Sequence, residues 1–155
     1  MRNLYRAAIG VVLLATPAFA AEHTDAEAQK AVQGFADNYQ RLYNTKDAKG
    51  IAALYTDDGM EVPPAPPVTG RDNIENWFAS IFKAGASNLR LDLKQVHMLG
   101  DSEVLAIGQF TVTLPKPGGA EGTHEVNGNF VNVYQWSNDT LKYLVHTSNF
   151  IPPQP

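Results

Sequence analysis

Five side chains in this 155-residue chain could move protons or orient a small molecule: Tyr39, Glu61, Asn132, His146 and Ser148. His146 lies in Tyr143-Leu144-Val145-His146-Thr147-Ser148-Asn149-Phe150. A histidine is the natural proton carrier near neutral pH. By strand alternation His146, Ser148 and Phe150 share one face. A satisfied core or rim histidine is the competing reading. Asn132 sits between Val131 and Val133, in a segment that otherwise reads as a strand, where asparagine is disfavoured. Phe130, Asn132, Tyr134 and Trp136 point together by the same alternation. Three aromatics make a poor solvent face, so Asn132 is expected to face a pocket. Tyr39 has two readings, a core ring with its hydroxyl bonded to backbone or a donor aimed into a pocket. Glu61 stands just before the run Pro63-Pro64-Ala65-Pro66-Pro67 and shares a face with Pro63.

Several chemistries are excluded. The chain has no cysteine, which removes thiol catalysis, disulfide exchange and thiolate-bound metal. Its four histidines form neither H-x-H nor H-E-x-x-H, so no metal is expected. No glycine-rich phosphate loop and no G-x-S-x-G elbow occurs. His97 and His124 read as exposed strand-end residues. No cofactor is implied.

The elements that must position these residues follow from the periodicity. Residues 1–20 read as a secretory signal: Arg2 and Arg6, an apolar run from Ala7 to Ala15, and an Ala18-Phe19-Ala20 cleavage site. The run is too short to span a bilayer. Cleavage leaves residues 21–155 as one domain, periplasmic or secreted, with 10 Lys+Arg against 16 Asp+Glu and a net charge of −6. Neither nucleic acid nor an anionic membrane surface suits that charge.

Glu27 to Tyr43 carries an apolar stripe at helical spacing, and Thr24 with Glu27 makes a capping box. Asp47 caps a second short helix with Ile51, Leu54 and Tyr55 on one face. Asp57-Asp58-Gly59 reads as the turn ending it, and Met60 to Val62 as a short strand. The proline run is loop or edge. A third helix after Gly70 turns Ile74, Trp77, Phe78, Ile81 and Phe82 inward. Beyond Gly85 the period becomes two, with strands predicted around Leu89–Leu93, Glu103–Leu114, Thr123–Trp136 and Thr140–Ile151. Turns fall at Gly100-Asp101, Pro115–Gly122 and Ser137-Asn138-Asp139. Three helices followed by hairpins predict an α+β domain, a curved antiparallel sheet with helices on one side.

Four local patterns carry a resemblance: Asn44 to Asp47 (N-x-x-D), Leu54-Tyr55-Thr56-Asp57-Asp58-Gly59, Met60-Glu61-Val62-Pro63-Pro64, and Gly70-Arg71-Asp72-Asn73-Ile74. In this order they resemble the nuclear transport factor 2-like superfamily, in its SnoaL-like and ketosteroid-isomerase-like branch. The resemblance implies a cone-shaped sheet wrapped around three N-terminal helices, with a cavity for a small apolar or aromatic ligand. It implies a donor tyrosine on the first helix at Tyr39 and a second donor at Asn132. It puts the family's proton-moving aspartate at Val62 or Pro63, neither of which can take a proton. His146 or Glu61 would then be the catalytic group. Trp77, Phe130, Tyr134 and Phe150 complete the implied ligand site. It further implies a homodimer through the outer sheet face, where Leu105, Ile107, Val131 and Val133 lie.

The expectation is an exported small-molecule-binding domain. The alternative is a cofactor-independent isomerase, cyclase or hydratase. A third possibility is an interaction domain whose cone is filled by its own side chains. A titratable group inside the pocket, within reach of Tyr39 and Asn132, would favour the enzyme.

Overall fold

The computed structural model describes residues 23–137 and 140–152, so the signal segment and the tip of the last hairpin lie outside the described residues. Helix α1 spans Asp25–Asn44. Its capping box is formed: the Glu27 backbone N–H donates to Thr24 Oγ1, and the Thr24 backbone N–H donates to Glu27 Oε2. Helix α2 is short, Ala48–Ala52, and Asp47 caps it by accepting from the Gly50 N–H at 2.8 Å. Helix α3 spans Arg71–Ala84 and stops at Gly85, which holds a left-handed φ of 111°.

Six strands form one sheet: β1 (Tyr55–Val62), β2 (Val68–Thr69), β3 (Ser87–Met98), β4 (Glu103–Pro115), β5 (Thr123–Ser137) and β6 (Thr140–Phe150). Their spatial order is β2-β1-β6-β5-β4-β3. The expected α+β architecture is present, with the curved sheet packed against α1 and α3. Buried residues from α1 (Val32, Tyr39, Leu42) and α3 (Ile74, Phe78, Phe82) share one core with Val104, Phe110, Phe130 and Tyr134 of the sheet, α1 lying along β3 and α3 along β1. The alternation of buried and half-buried residues along β4 is the period-two pattern of its sequence.

Three details depart from the sequence reading. First, β1 begins at Tyr55, so Tyr55 belongs to a strand and not to the second helix. Asp57-Asp58-Gly59 is no helix-ending turn. It is a bulge inside β1, where the pairing with β6 jumps from Tyr55↔Tyr143 to Met60↔Val145. Gly59 is required there, because a Cβ would lie 2.9 Å from the Tyr143 carbonyl oxygen and 3.0 Å from Tyr55 Cβ. Second, β1 runs parallel to β6, so the sheet is not wholly antiparallel. No hairpin joins these strands, and nothing in the connection forces them to oppose. Third, the proline run is followed by the two-residue edge strand β2, which pairs Val68 with Glu61.

Candidate functional site

A cavity of about 270 Å³ opens between α1, α3 and the inner face of the sheet. Its wall includes Tyr39 and Tyr43 from α1, Trp77 and Phe78 from α3, Phe110 from β4 and Phe130 from β5. The proline run supplies part of the lining through Pro63, Pro64 and Ala65. Polar atoms enter from few places: the two tyrosines, Glu61 on β1, and His146 and Ser148 on β6. No Lys or Arg lines it among the described residues. A charged anion would find no counter-charge here.

At one side of this cavity three side chains converge. Tyr55 Oη donates to Glu61 Oε2 at 2.5 Å. His146 Nδ1 lies 2.6 Å from the same oxygen. Tyr55 Oη and His146 Nδ1 are 3.1 Å apart. Glu61 is 1% exposed and His146 8%. Burial raises the Tyr55 phenol well above its ordinary value of 10.0, and the Glu61 charge adds to this, so it remains a donor. With Tyr55 donating, the short contact to Nδ1 is satisfied by an Nδ1–H donating to the carboxylate. In a neutral ring that tautomer leaves Nε2 with a lone pair. No described residue bonds Nε2. The arrangement is a carboxylate–imidazole dyad in which Glu61 fixes the orientation of the ring.

Local folding explains the convergence. Glu61 and His146 are register partners in the parallel β1–β6 pair. The Gly59 bulge brings Tyr55 onto the same carboxylate. Arg71 clamps the start of β1, donating from Nε to the Tyr55 carbonyl at 2.9 Å and pairing with Asp57 at the surface.

Tyr39 is buried on α1 and lines the cavity, as expected of a pocket donor. Its ring meets His146 edge-on, with centroids 5.2 Å apart. Its hydroxyl has no hydrogen bond from a described residue, which sets aside the reading in which backbone satisfies it. Burial, then the Glu61 charge, raise its phenol well above the ordinary range. Tyr43, one helical turn on, also lines the cavity and is raised by the same two causes. Trp77, Phe130 and Phe150 are in the cavity wall, and Phe150 is 43% exposed.

Asn132 is placed differently. It is buried, opposite His146 in the β5–β6 register, but it stands behind the wall. Its Nδ2 donates to Tyr134 Oη at 3.4 Å, and its Oδ1 accepts from the Thr147 N–H at 3.3 Å. Tyr134 is likewise core, stacked on Tyr143 and edge-on to Phe35. Its phenol is pushed up to about 12 by burial, against the Asn132 hydrogen bond that lowers it. The expected Tyr39–Asn132 pair is therefore not assembled in the cavity. Glu61 lines the cavity on the face it shares with Pro63, and both Tyr55 and His146 contact its Oε2. Tyr55 and Tyr43 were not anticipated. Reading Asp57-Asp58-Gly59 as a turn left Tyr55 on the second helix and off the strand that carries Glu61. His97 and His124 are exposed. No group of three or more metal-binding side chains occurs among the described residues, and no helix among them is long and apolar enough to cross a membrane.

Residues 36–142 match the family model of the SnoaL-like domain. No curated protein matches the chain. Solved structures share its fold at low identity. A ketosteroid isomerase-like protein from Erwinia carotovora atroseptica aligns over 82% of this chain and 98% of its own, with a TM-score of 0.71 and 18% identity. A protein with a cystatin-like fold from Caulobacter vibrioides covers 82% of this chain and 92% of its own, with a TM-score of 0.71 and 16% identity. An NTF-2 like protein from Shewanella oneidensis covers 77% and 97%, with a TM-score of 0.62 and 14% identity. At these identities the likeness establishes the fold alone.

Proposed function

We propose that this chain, which belongs to the SnoaL-like domain family within the nuclear transport factor 2-like superfamily, binds a small uncharged molecule in its cavity and transfers a proton on it without a cofactor. The reaction class is that of an isomerase, cyclase or hydratase. One observation carries this reading: the 2.6 Å contact of His146 Nδ1 with buried Glu61 at the wall of an apolar cavity. His146 Nε2 takes a proton from a carbon beside a carbonyl, or returns one to a leaving hydroxyl. The Tyr39 hydroxyl donates to the oxygen on which negative charge develops. The walls exclude water and strengthen both interactions.

The test is deuterium exchange. A panel of neutral ketones and β-hydroxy ketones in D₂O is followed by proton NMR with and without the protein. The expected result is catalysed exchange at the carbon next to the carbonyl, reduced by roughly 10²–10⁴-fold in His146→Gln, the usual worth of a positioned acid–base group. Absence of exchange across ketones that demonstrably bind would sink the enzyme reading.

A binding module remains the second reading. It is favoured by the residues at the strand exit, Val62 and Pro63, where the ketosteroid-isomerase-like pattern would have a proton-moving carboxylate. In that reading the dyad and Tyr39 orient a ligand and nothing turns over.

A further inference from the structure

Two glycines and two phenylalanines on the cavity face of the sheet are paired reciprocally. In the β4–β5 register Gly108 faces Phe130, and Phe110 faces Gly128. Each pair is two residues from the other on both strands, so all four belong to one face. Both rings line the cavity. A Cβ on Gly108 would lie 2.2 Å from Cζ and 2.6 Å from Cε1 of Phe130. A Cβ on Gly128 would lie 2.2 Å from Cζ and 2.3 Å from Cε1 of Phe110. Each ring thus lies down across the opposite glycine, where side chains on a sheet ordinarily stand roughly perpendicular to it. With any other residue at Gly108 or Gly128 the ring has to rise, and the open side is the cavity.

We infer that Gly108 and Gly128 determine the specificity of this cavity, by laying Phe110 and Phe130 flat as an aromatic floor that selects planar, uncharged ring systems. The inference rests on the cavity being the ligand site, as proposed above. The floor points at the dyad. Phe130 pairs with Ser148 across β5 and β6, and Asn132, the next residue on that face of β5, pairs with His146. A two-residue step along a strand is about 7 Å. The Phe130 ring lies over Gly108 on the β4 side, so a ligand resting on it has to reach back across β5 to meet His146 on β6, while Phe110 carries the floor further along the strands. The fitting ligand is a flat ring system, long enough to cross both rings, with its oxygen at the dyad end.

A matched pair of probes tests this: 2-naphthol and decahydro-2-naphthol, with the same skeleton and hydroxyl, one planar and one puckered. Calorimetric titration gives each affinity. A plain apolar cavity prefers the saturated compound, which is the more hydrophobic. A flat aromatic floor reverses that order, and about a tenfold preference for 2-naphthol is expected from stacking on two rings. Phe110→Leu and Phe130→Leu, confirmed as folded by thermal melting, should each erode the preference, and the double variant should abolish it. Gly108→Ala and Gly128→Ala, where they fold, should weaken both probes by raising a ring into the cavity. These glycines also sit 2.4–2.5 Å, by their would-be Cβ, from backbone carbonyls of Asp92 and Asn149, so the leucine variants decide the matter if alanine disturbs the sheet. Equal or tighter binding of the puckered probe by the parent, or a preference that survives the double leucine change, overturns the floor and leaves the ligand site standing. Failure of both probes to bind the parent overturns the ligand site and the floor with it.

Discussion

Tyr55 and Glu61 lie six residues apart on one strand, yet their side chains share a 2.5 Å hydrogen bond, because the backbone between them bulges at Gly59. An unbroken strand would hold residues at that separation about 20 Å apart. The bulge is therefore part of the site, since it brings a phenol onto the carboxylate that orients His146.

Gly59→Ala should lower stability by about 1–3 kcal/mol, the usual cost of forcing atoms into a filled space. The added Cβ meets the Tyr143 carbonyl, which cannot rotate away. Denaturant unfolding measures the loss. An unchanged midpoint would show that the bulge tolerates a side chain.

Tyr55→Phe removes one of the two donors on Glu61 Oε2. A buried oxygen left short of a partner costs about 1–3 kcal/mol. The same group gives a pH signature. Burial raises the Tyr55 phenol above its unfolded value near 10.0, so its contribution is fully present below that pH and is lost as pH climbs through and above it. Tyr39 and Tyr143 shift in the same direction. Melting temperature should fall steeply above pH 10, and less steeply in Tyr55→Phe. A parallel decline in both proteins counts against a perturbed Tyr55.

Tyr39→Phe and Asn132→Leu should separate two kinds of role. Tyr39 lines the cavity with an unpaired hydroxyl, so its loss should weaken a ligand bearing an acceptor oxygen by about 1–3 kcal/mol while leaving the fold cooperative. Asn132 holds Tyr134 and the Thr147 N–H, so Asn132→Leu should act on stability first. An Asn132→Leu protein of parental stability that binds poorly would return Asn132 to the ligand.

We propose a homodimer through the outer sheet face. Val131 is 43% exposed there, with Leu105, Ile107 and Val133 half-buried beside it. Light scattering should give about twice the mature mass, and Val131→Lys should halve it. A mass near 15 kDa at all concentrations, at roughly 0.11 kDa per residue, rules the dimer out.

We also propose export, with a mature N-terminus at Ala21 after the Ala18-Phe19-Ala20 site. N-terminal sequencing of the protein from its native compartment checks this. Met1 retained on a cytosolic protein would sink it.

The helices and hairpins were legible because their periods were clean. The stripe from Val32 to Tyr43 and the capping box at Thr24 read directly as α1. The dyad was legible only in halves. Alternation put Glu61 on the face of Pro63 and His146 on the face of Phe150, but their pairing is a contact 85 residues apart through a parallel register. Nothing local encodes that partnership. Asn132 was read as facing the pocket; it is buried, but it satisfies Tyr134 and the Thr147 N–H, a choice that strand alternation does not encode. Tyr55 was lost because Asp-Asp-Gly is the composition of a turn and of a bulge alike.

The parallel union of β1 with β6 has a consequence in time. Glu61 lies in the first strand of the sheet and His146 in the last, so the histidine meets its carboxylate only after nearly the whole chain has been made. A nascent or truncated chain lacking β6 loses the strand that joins β1 to β5, and it leaves Glu61 and Tyr55 without their histidine. The proton transfer proposed for this dyad is thus complete only with the final strand. Any cut before His146 should yield a species that collapses around its helices and remains inert.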